Sequence, residues 1–170
     1  GDRVVPGLGA VPARGGAGHV RGGGGAGGVR GLAGAGNDLV LGHDGDDAIL
    51  GGAGHDRLLG QQGADWLIGG EGNDTIDGGA GRDTINGGQG ADVIRGGAEA
   101  DVFRMTFGEM DGDAILDFDA TDGDRLVVRS TNPLAVSDLG DGMFSFTDGM
   151  AVETLRVTGA TMSDFHLLIA

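Results

Sequence analysis

The sequence predicts an all-β protein, a parallel β-roll closed by an antiparallel β cap. Three observations carry that expectation. A nine-residue unit repeats eight times without interruption from Ala33 to Arg104. Its sixth residue is Asp and its eighth is apolar in every copy. Beyond Arg104 the period stops, and strand-like runs separated by Asp-Gly pairs take over. A fixed period decides the architecture before any local reading, because one unit cannot bury its apolar residue alone whereas a stack of units can.

In register the copies are AGAGNDLVL (33–41), GHDGDDAIL (42–50), GGAGHDRLL (51–59), GQQGADWLI (60–68), GGEGNDTID (69–77), GGAGRDTIN (78–86), GGQGADVIR (87–95) and GGAEADVFR (96–104). The first six residues of a copy are rich in glycine and end in Asp, which predicts a tight turn. The last three place one branched or aromatic residue between two others, a minimal strand with one side chain inward. Turn, strand, turn, strand gives a coil of two copies. Val40, Leu58, Ile76 and Ile94 then form one inward column, and Ile49, Leu67, Ile85 and Phe103 the facing one. Asp38, Asp56, Asp74 and Asp92 fall on one edge of the stack, and Asp47, Asp65, Asp83 and Asp101 on the other.

This stacking is electrostatically unfavourable by itself. Carboxylates roughly 5 Å apart repel by roughly 3 kcal/mol at an effective dielectric near 20. One apolar side chain per nine residues contributes about 1.5–3 kcal/mol, too little to offset both that repulsion and the ordering of so many glycines. A cation between the Asp residues reverses the sign. The donors on offer are carboxylates and loop carbonyls, Cys is absent, and His is not periodic. Hard oxygen donors select calcium over zinc or copper.

The repeats resemble the calcium-binding nonapeptides of the repeats-in-toxin (RTX) family, GGxGxDxUx. The resemblance implies a parallel β-roll with calcium between successive turns on each edge. It implies that carbonyls at positions two and four, with the Asp of one loop, meet carbonyls at positions one and three, with the Asp, of the loop eighteen residues later. Carried onto this chain, the metal-holding residues are Gly34, Gly36 and Asp38; Gly45 and Asp47; Gly51, Gly52, Ala53, Gly54 and Asp56; and Gly60, Gln61, Gln62, Gly63 and Asp65. They continue with Gly69, Gly70, Glu71, Gly72 and Asp74; Gly78, Gly79, Ala80, Gly81 and Asp83; Gly87, Gln89 and Asp92; and Gly96, Ala98 and Asp101. About six calcium ions are expected, three per edge. His43, Gln61 and Glu99 depart from the pattern, standing where it has glycine.

Residues 1–32 form a glycine-rich flank. It keeps the period as PGLGAVPAR (6–14), GGAGHVRGG (15–23) and GGAGGVRGL (24–32), but position six is Val11, Val20 and Val29. Two readings stand: degenerate repeats coiled onto the first turn, or a flexible linker toward an upstream domain. Within the ladder, Leu39, Leu41, Leu50, Leu59, Trp66 and Ile68 occupy outward positions, giving either local packing or a docking face. Residues 105–170 read as the cap. The runs at 113–118 and 126–128 suggest two antiparallel strands turning near Asp122-Gly123, and Met143–Phe146 with Val152–Val157 a second hairpin across Asp148-Gly149. The segment DAILDFDATDGDRLVV (113–128) resembles the stretch that succeeds the repeats in secreted RTX proteases and lipases. That makes Asp113, Asp117 and Asp124 candidates for a last calcium site, beside the alternative of surface turn aspartates.

The ending, Asp164 followed by Phe-His-Leu-Leu-Ile-Ala170, resembles the uncleaved signal of proteins exported by the bacterial type I route. Gly1–Pro12 lacks the apolar run of an N-terminal signal peptide, and no stretch is long enough to span a membrane. The formal charge of −15, from 26 acidic and 11 basic residues, disfavours nucleic acid and anionic membranes. There is no HExxH, no GxSxG and no Lys for a phosphate loop, so this segment is read as non-catalytic.

The expected function is a secreted, calcium-dependent folding module, partnered by an upstream domain of the same polypeptide and by the type I secretion apparatus. One alternative is a polysaccharide- or surface-binding module of an adhesin or alginate-modifying enzyme, if Arg82, Arg95, Arg104, Arg125 and Arg129 cluster. Another is the C-terminal part of a secreted protease or lipase.

Overall fold

The computed structural model describes residues 3–5, 11–12, 19–22, 28 and 30–169. Its strands follow in chain order as β1 (Arg3–Val5), β2 (Val11–Pro12), β3 (His19–Gly22), β4 (Arg30–Ala35), β5 (Leu39–Asp44), β6 (Ala48–Ala53), β7 (Arg57–Gln62), β8 (Trp66–Glu71) and β9 (Thr75–Ala80). They continue as β10 (Thr84–Gln89), β11 (Val93–Ala98), β12 (Val102–Thr106), β13 (Asp113–Ile115), β14 (Arg125–Ser130), β15 (Ala135–Gly140), β16 (Met143–Thr147), β17 (Val152–Val157) and β18 (Phe165–Ile169), with a 3-10 turn at Met162–Asp164. No helix among the described residues is long and apolar enough to cross a membrane.

The chain alternates between two sheets at every repeat. One sheet runs β1-β3-β5-β7-β9-β11-β13-β17-β16-β15, and the other β18-β14-β12-β10-β8-β6-β4-β2. Within the repeats the pairing is parallel at a spacing of eighteen, as in Leu58 beside Ile76 and Ile49 beside Leu67. This is the parallel roll the period predicts. Each strand is longer than expected, however. It covers positions seven to nine of one copy and one to three of the next, six residues in place of three. Position one is glycine, which contributes no apolar signal, so the second half of the strand is silent in the sequence.

Burial alternates along each strand of the repeats, and positions six, eight and one face inward. The two apolar columns form as predicted: Val40, Leu58, Ile76 and Ile94 face Ile49, Leu67, Ile85 and Phe103, all at most 2 % exposed. Both columns run on past residue 104. Ile115 pairs beside Ile94 and Val157 beside Ile115, while Leu126 pairs beside Phe103 and Phe165 beside Leu126. Phe165 packs edge-on against Phe144 and Phe146, at ring-centroid distances of 4.6 and 5.5 Å, and covers the last coil.

The cap differs from expectation in one pairing. The hairpin of β16 and β17 forms, with β15 added antiparallel to β16. The residues at 113–118 and 126–128 do not pair with each other: β13 joins β11 and β14 joins β12, both parallel. The Asp122-Gly123 turn sends the chain across to the opposite sheet, as each repeat turn does. Burying Ile115 and Leu126 on the two existing columns outweighs a local hairpin that would leave the roll end open.

In the flank, β3 pairs with β5 and β2 with β4, both parallel. The register sets Val20 beside Val40 and Val11 beside Gly31. That is position eight, two residues away from the phase read in the sequence, which had put these valines at position six. Without an Asp to hold position six, the apolar residue takes the register of the apolar column. The expectation of a flexible flank falls largely on residues outside those described.

A candidate calcium ladder

Each aspartate of the repeat is buried, from 4 % exposed at Asp38 to 0 % at Asp92 and Asp101. The strand places it there. Position six lies two residues before the apolar position and shares its face. One carboxylate oxygen ties successive coils together. The Asp38 N–H donates to Asp56 Oδ1 at 2.8 Å, Asp56 N–H to Asp74 Oδ1 at 2.7 Å, and Asp74 N–H to Asp92 Oδ1 at 2.8 Å. The other edge repeats the arrangement from Asp47 to Asp65, Asp65 to Asp83 and Asp83 to Asp101, at 2.8, 2.8 and 2.9 Å.

The second oxygen is different. Oδ2 of Asp56, Asp65, Asp74, Asp83, Asp92, Asp101 and Asp113 is buried with no hydrogen-bond partner. An ionised carboxylate in that state is costly, and the carboxyls respond. Burial pushes Asp65, Asp74 and Asp101 up to about 7, reinforced by neighbouring aspartates and only partly opposed by the backbone N–H bond each accepts. Asp83 is raised to about 6, and Asp56 and Asp92 are raised as well, with burial again the main cause.

The loop backbone supplies the remaining oxygens. Position-three carbonyls, those of Ala53, Gln62, Glu71, Ala80, Gln89 and Ala98, each accept one N–H from a position-four glycine of the preceding coil, as Gly36 to Ala53 at 2.7 Å and Gly54 to Glu71 at 2.8 Å. A carbonyl has a second lone pair for a cation. Position-two and position-four residues turn the chain with positive φ, including Gly34, Gly36, Gly45, Gly52, Gly54, Gly63, Gly70, Gly72, Gly79 and Gly81. Position-one glycines, Gly51, Gly60, Gly69, Gly78, Gly87 and Gly96, lie in the strands against the Oδ2 of their own aspartate. Among the described residues no three Asp, Glu or His side chains converge on one point. A metal here needs carbonyls as well as carboxylates, which is a calcium donor set rather than a zinc one. The orphaned Oδ2 atoms, the all-oxygen surroundings and the raised carboxyls fit that ion.

Position-one glycine is fixed by close approach. A Cβ on Gly69 would overlap both Asp74 Oδ2 and the Gly87 carbonyl. Gly69→Ala is expected to destabilise the folded chain by about 3 kcal/mol, read as a lower melting temperature at saturating calcium; an unchanged melting temperature would show that the strands do not pack this closely. Position two is fixed by conformation, with Gly70 at φ 123°. The non-glycine residues His43, Gln61 and Glu99 keep positive φ, at 77°, 84° and 80°, and His43 pairs beside Gln61. A side chain in this region is strained. Gln61→Gly is therefore expected to stabilise the chain by on the order of 0.5–1 kcal/mol, measured by the same thermal scan.

The sequence reading missed a further column at position five. Asn37 Oδ1 accepts the His55 N–H at 2.9 Å, His55 Nδ1 accepts the Asn73 N–H at 2.8 Å, and Asn73 Oδ1 accepts the Ala91 N–H at 3.1 Å. The signal is present as Asn-Asp or His-Asp pairs spaced by eighteen, but different residue types do the same job. The outward apolar residues divide between the sheets, Leu39, Leu41 and Leu59 on β5 and β7 and Leu50, Trp66 and Ile68 on β6 and β8. Leu32, Leu50 and Trp66 are exposed on β4, β6 and β8. Beside them Trp66, Arg82, Thr84 and Arg104 line a groove of about 370 Å³. Arg125 and Arg129 lie on β14 of that sheet, whereas Arg95 lies on β11 of the other.

The sequence model described as the RTX calcium-binding nonapeptide repeat matches in four copies, at residues 32–58, 50–85, 59–94 and 77–104. Among solved structures, the chain is similar to the solution structure of the AlgE6R3 subunit from the Azotobacter vinelandii mannuronan C5-epimerase, with 30% identity over 72% of this chain and 71% of that one and a TM-score of 0.33. No curated protein matches the sequence.

Proposed function

The chain belongs, through residues 32–104, to the family of RTX calcium-binding nonapeptide repeats, and from that membership we propose that it is a module that folds only where calcium is abundant, outside the cell that makes it. It is a calcium-binding β-roll. The carrying observation is the set of buried Oδ2 atoms without partners on both edges. Each ion is held by two successive aspartates of an edge and the loop carbonyls around them, giving six ions over the eight repeats. Bound calcium supplies the positive charge that lets stacked carboxylates stay ionised.

At the low free calcium of a bacterial cytoplasm the chain stays extended and fits an export channel. At the roughly millimolar calcium typical of weak extracellular sites it folds, and an upstream domain of the same polypeptide folds against it. RTX repeats belong to secreted proteins, and the acidic residue and apolar run at 164–169 are the feature that favours the type I route. Deleting residues 164–170 from the chain produced in a bacterium carrying a type I exporter is expected to hold it in the cytoplasm. Undiminished export would reject that route.

A second reading has its own observation, the groove between Trp66 and the two arginines. An exposed indole stacks on a sugar ring, and guanidinium groups pair with carboxylates. This combination suits an acidic polysaccharide despite the negative net charge. Binding of an oligouronate to the calcium-loaded chain, lost in Arg104→Ala, is the expected result; equal binding by that variant would remove the groove as the site.

A further inference from the structure

The aspartate columns continue where the repeats stop, and they end differently on the two edges. On one edge the Asp92 N–H donates to Asp113 Oδ1 at 2.8 Å, across 21 residues. On the other the Asp101 N–H donates to Asp124 Oδ1 at 2.9 Å, across 23. Both reproduce the contact made at a spacing of eighteen within the repeats. The longer loops set a glycine of positive φ, Gly112 or Gly123, over Ala91 or Ala100, the fifth residues of the last two repeat loops. The second carboxylate oxygens then diverge. Asp124 Oδ2 accepts the Asp119 N–H at 2.9 Å, so that aspartate is satisfied by protein. Asp113 is 1 % exposed and its Oδ2 has no hydrogen-bond partner.

We propose that Asp92 and Asp113 hold one further calcium ion at the cap end of this edge, and that the Asp101–Asp124 step holds none. A buried carboxylate oxygen without a donor needs either a proton or a cation. Asp92, Glu153 and Asp111 lie close enough to add to the negative potential at Asp113, and a divalent ion gains twice what a proton gains from the same potential. The carbonyls of Gly88 and Gly90 occupy the second and fourth positions of the loop beside it and complete the donor set. Asp117, the other acidic residue of this segment, is already used: its carboxylate accepts the Gly96 and Gly97 N–H groups at 3.0 and 3.2 Å and straps the cap to the last repeat. Neither terminal step obeys the period of nine, so the repeat pattern does not reach them.

This inference rests on the reading that the repeat loops bind calcium. The test is native mass spectrometry of the calcium-loaded full chain, comparing wild type with Asp113→Asn and Asp124→Asn. An asparagine at 113 keeps an oxygen to accept the Asp92 N–H. Asp113→Asn is expected to carry one ion fewer than wild type, and Asp124→Asn the same number. An unchanged count in Asp113→Asn, or a loss in Asp124→Asn, would overturn the proposal. Anomalous diffraction from calcium-loaded wild-type crystals tests it without a variant: a peak between Asp92 and Asp113 with none beside Asp124 is expected, and no peak at Asp113 overturns it. A wild-type chain holding no calcium at all would overturn the calcium reading of the repeats with it.

Discussion

Removing calcium with a chelator at pH 8 is expected to convert the far-UV circular dichroism spectrum from β to coil, and returning calcium, but not magnesium, is expected to restore it. The reason lies in how little else holds a coil together. Eighteen residues contribute two inward apolar side chains, such as Leu58 and Leu67, and two buried aspartates, such as Asp56 and Asp65. The remainder is largely turn glycine, which loses more freedom on folding than any other residue. Calcium at ten times its dissociation constant adds about 1.4 kcal/mol per site. The six sites proposed for the repeats would give on the order of 8 kcal/mol, as large as the whole stability of a typical domain. Magnesium prefers a tight octahedron and gives up its water reluctantly, so loops built from carbonyls at fixed strand spacing serve it poorly. The transition should be cooperative, because each inner aspartate serves the coils on both sides of it. A β spectrum indifferent to both chelator and calcium would mean that the aspartate columns do not organise the fold.

The architecture was legible because the residues that build it are repeated. Eight aspartates and eight apolar residues at a period of nine leave one arrangement that stacks each kind on its own kind, and both apolar columns stand where that arithmetic puts them. What escaped reading lies where the signal is a glycine or a broken period. The second half of each strand begins at a position-one glycine such as Gly69, whose role is to leave room for Asp74 Oδ2 and is therefore written only as an absence of side chain. Asp113 and Asp124 continue the columns at spacings of 21 and 23, which no count of nine predicts. The parallel pairing of β13 and β14 was hidden by the Asp122-Gly123 pair, which signals a turn but not the sheet to which the chain goes next. Val11 and Val20 misled in the opposite way, keeping the period in sequence while pairing two residues out of phase.

The second large effect is on pH, and its sign depends on the metal. In the calcium-free roll, burial holds Asp65, Asp74, Asp101 and Asp113 at about 7, against an ordinary 3.8. A carboxyl whose pKa is higher in the folded chain than in the unfolded one stabilises the fold while it is protonated. That contribution is complete below about pH 4 and is lost as the pH rises through about 7. At about 1.4 kcal/mol per pKa unit, and with solvent screening taken off, four such groups change the balance by on the order of 10 kcal/mol. The chelated chain is therefore expected to show β structure near pH 4 and coil at pH 8. With calcium present the dependence reverses, because the ion and the proton compete for the same Oδ2 atoms. Calcium affinity should rise from about pH 4 to about pH 7 and then level off, and binding near pH 5, where the calcium-free roll keeps its carboxyls protonated, should release protons, measured by calorimetry in two buffers of different ionisation enthalpy. The same measurement at pH 8 should find almost no proton release, since the calcium-free chain is then coil and its carboxyls are ionised before the ion arrives. Equal binding enthalpies in the two buffers at pH 5 would show that the aspartates carry no protons to displace, and with that the buried Oδ2 atoms would lose their place as the seat of the calcium response.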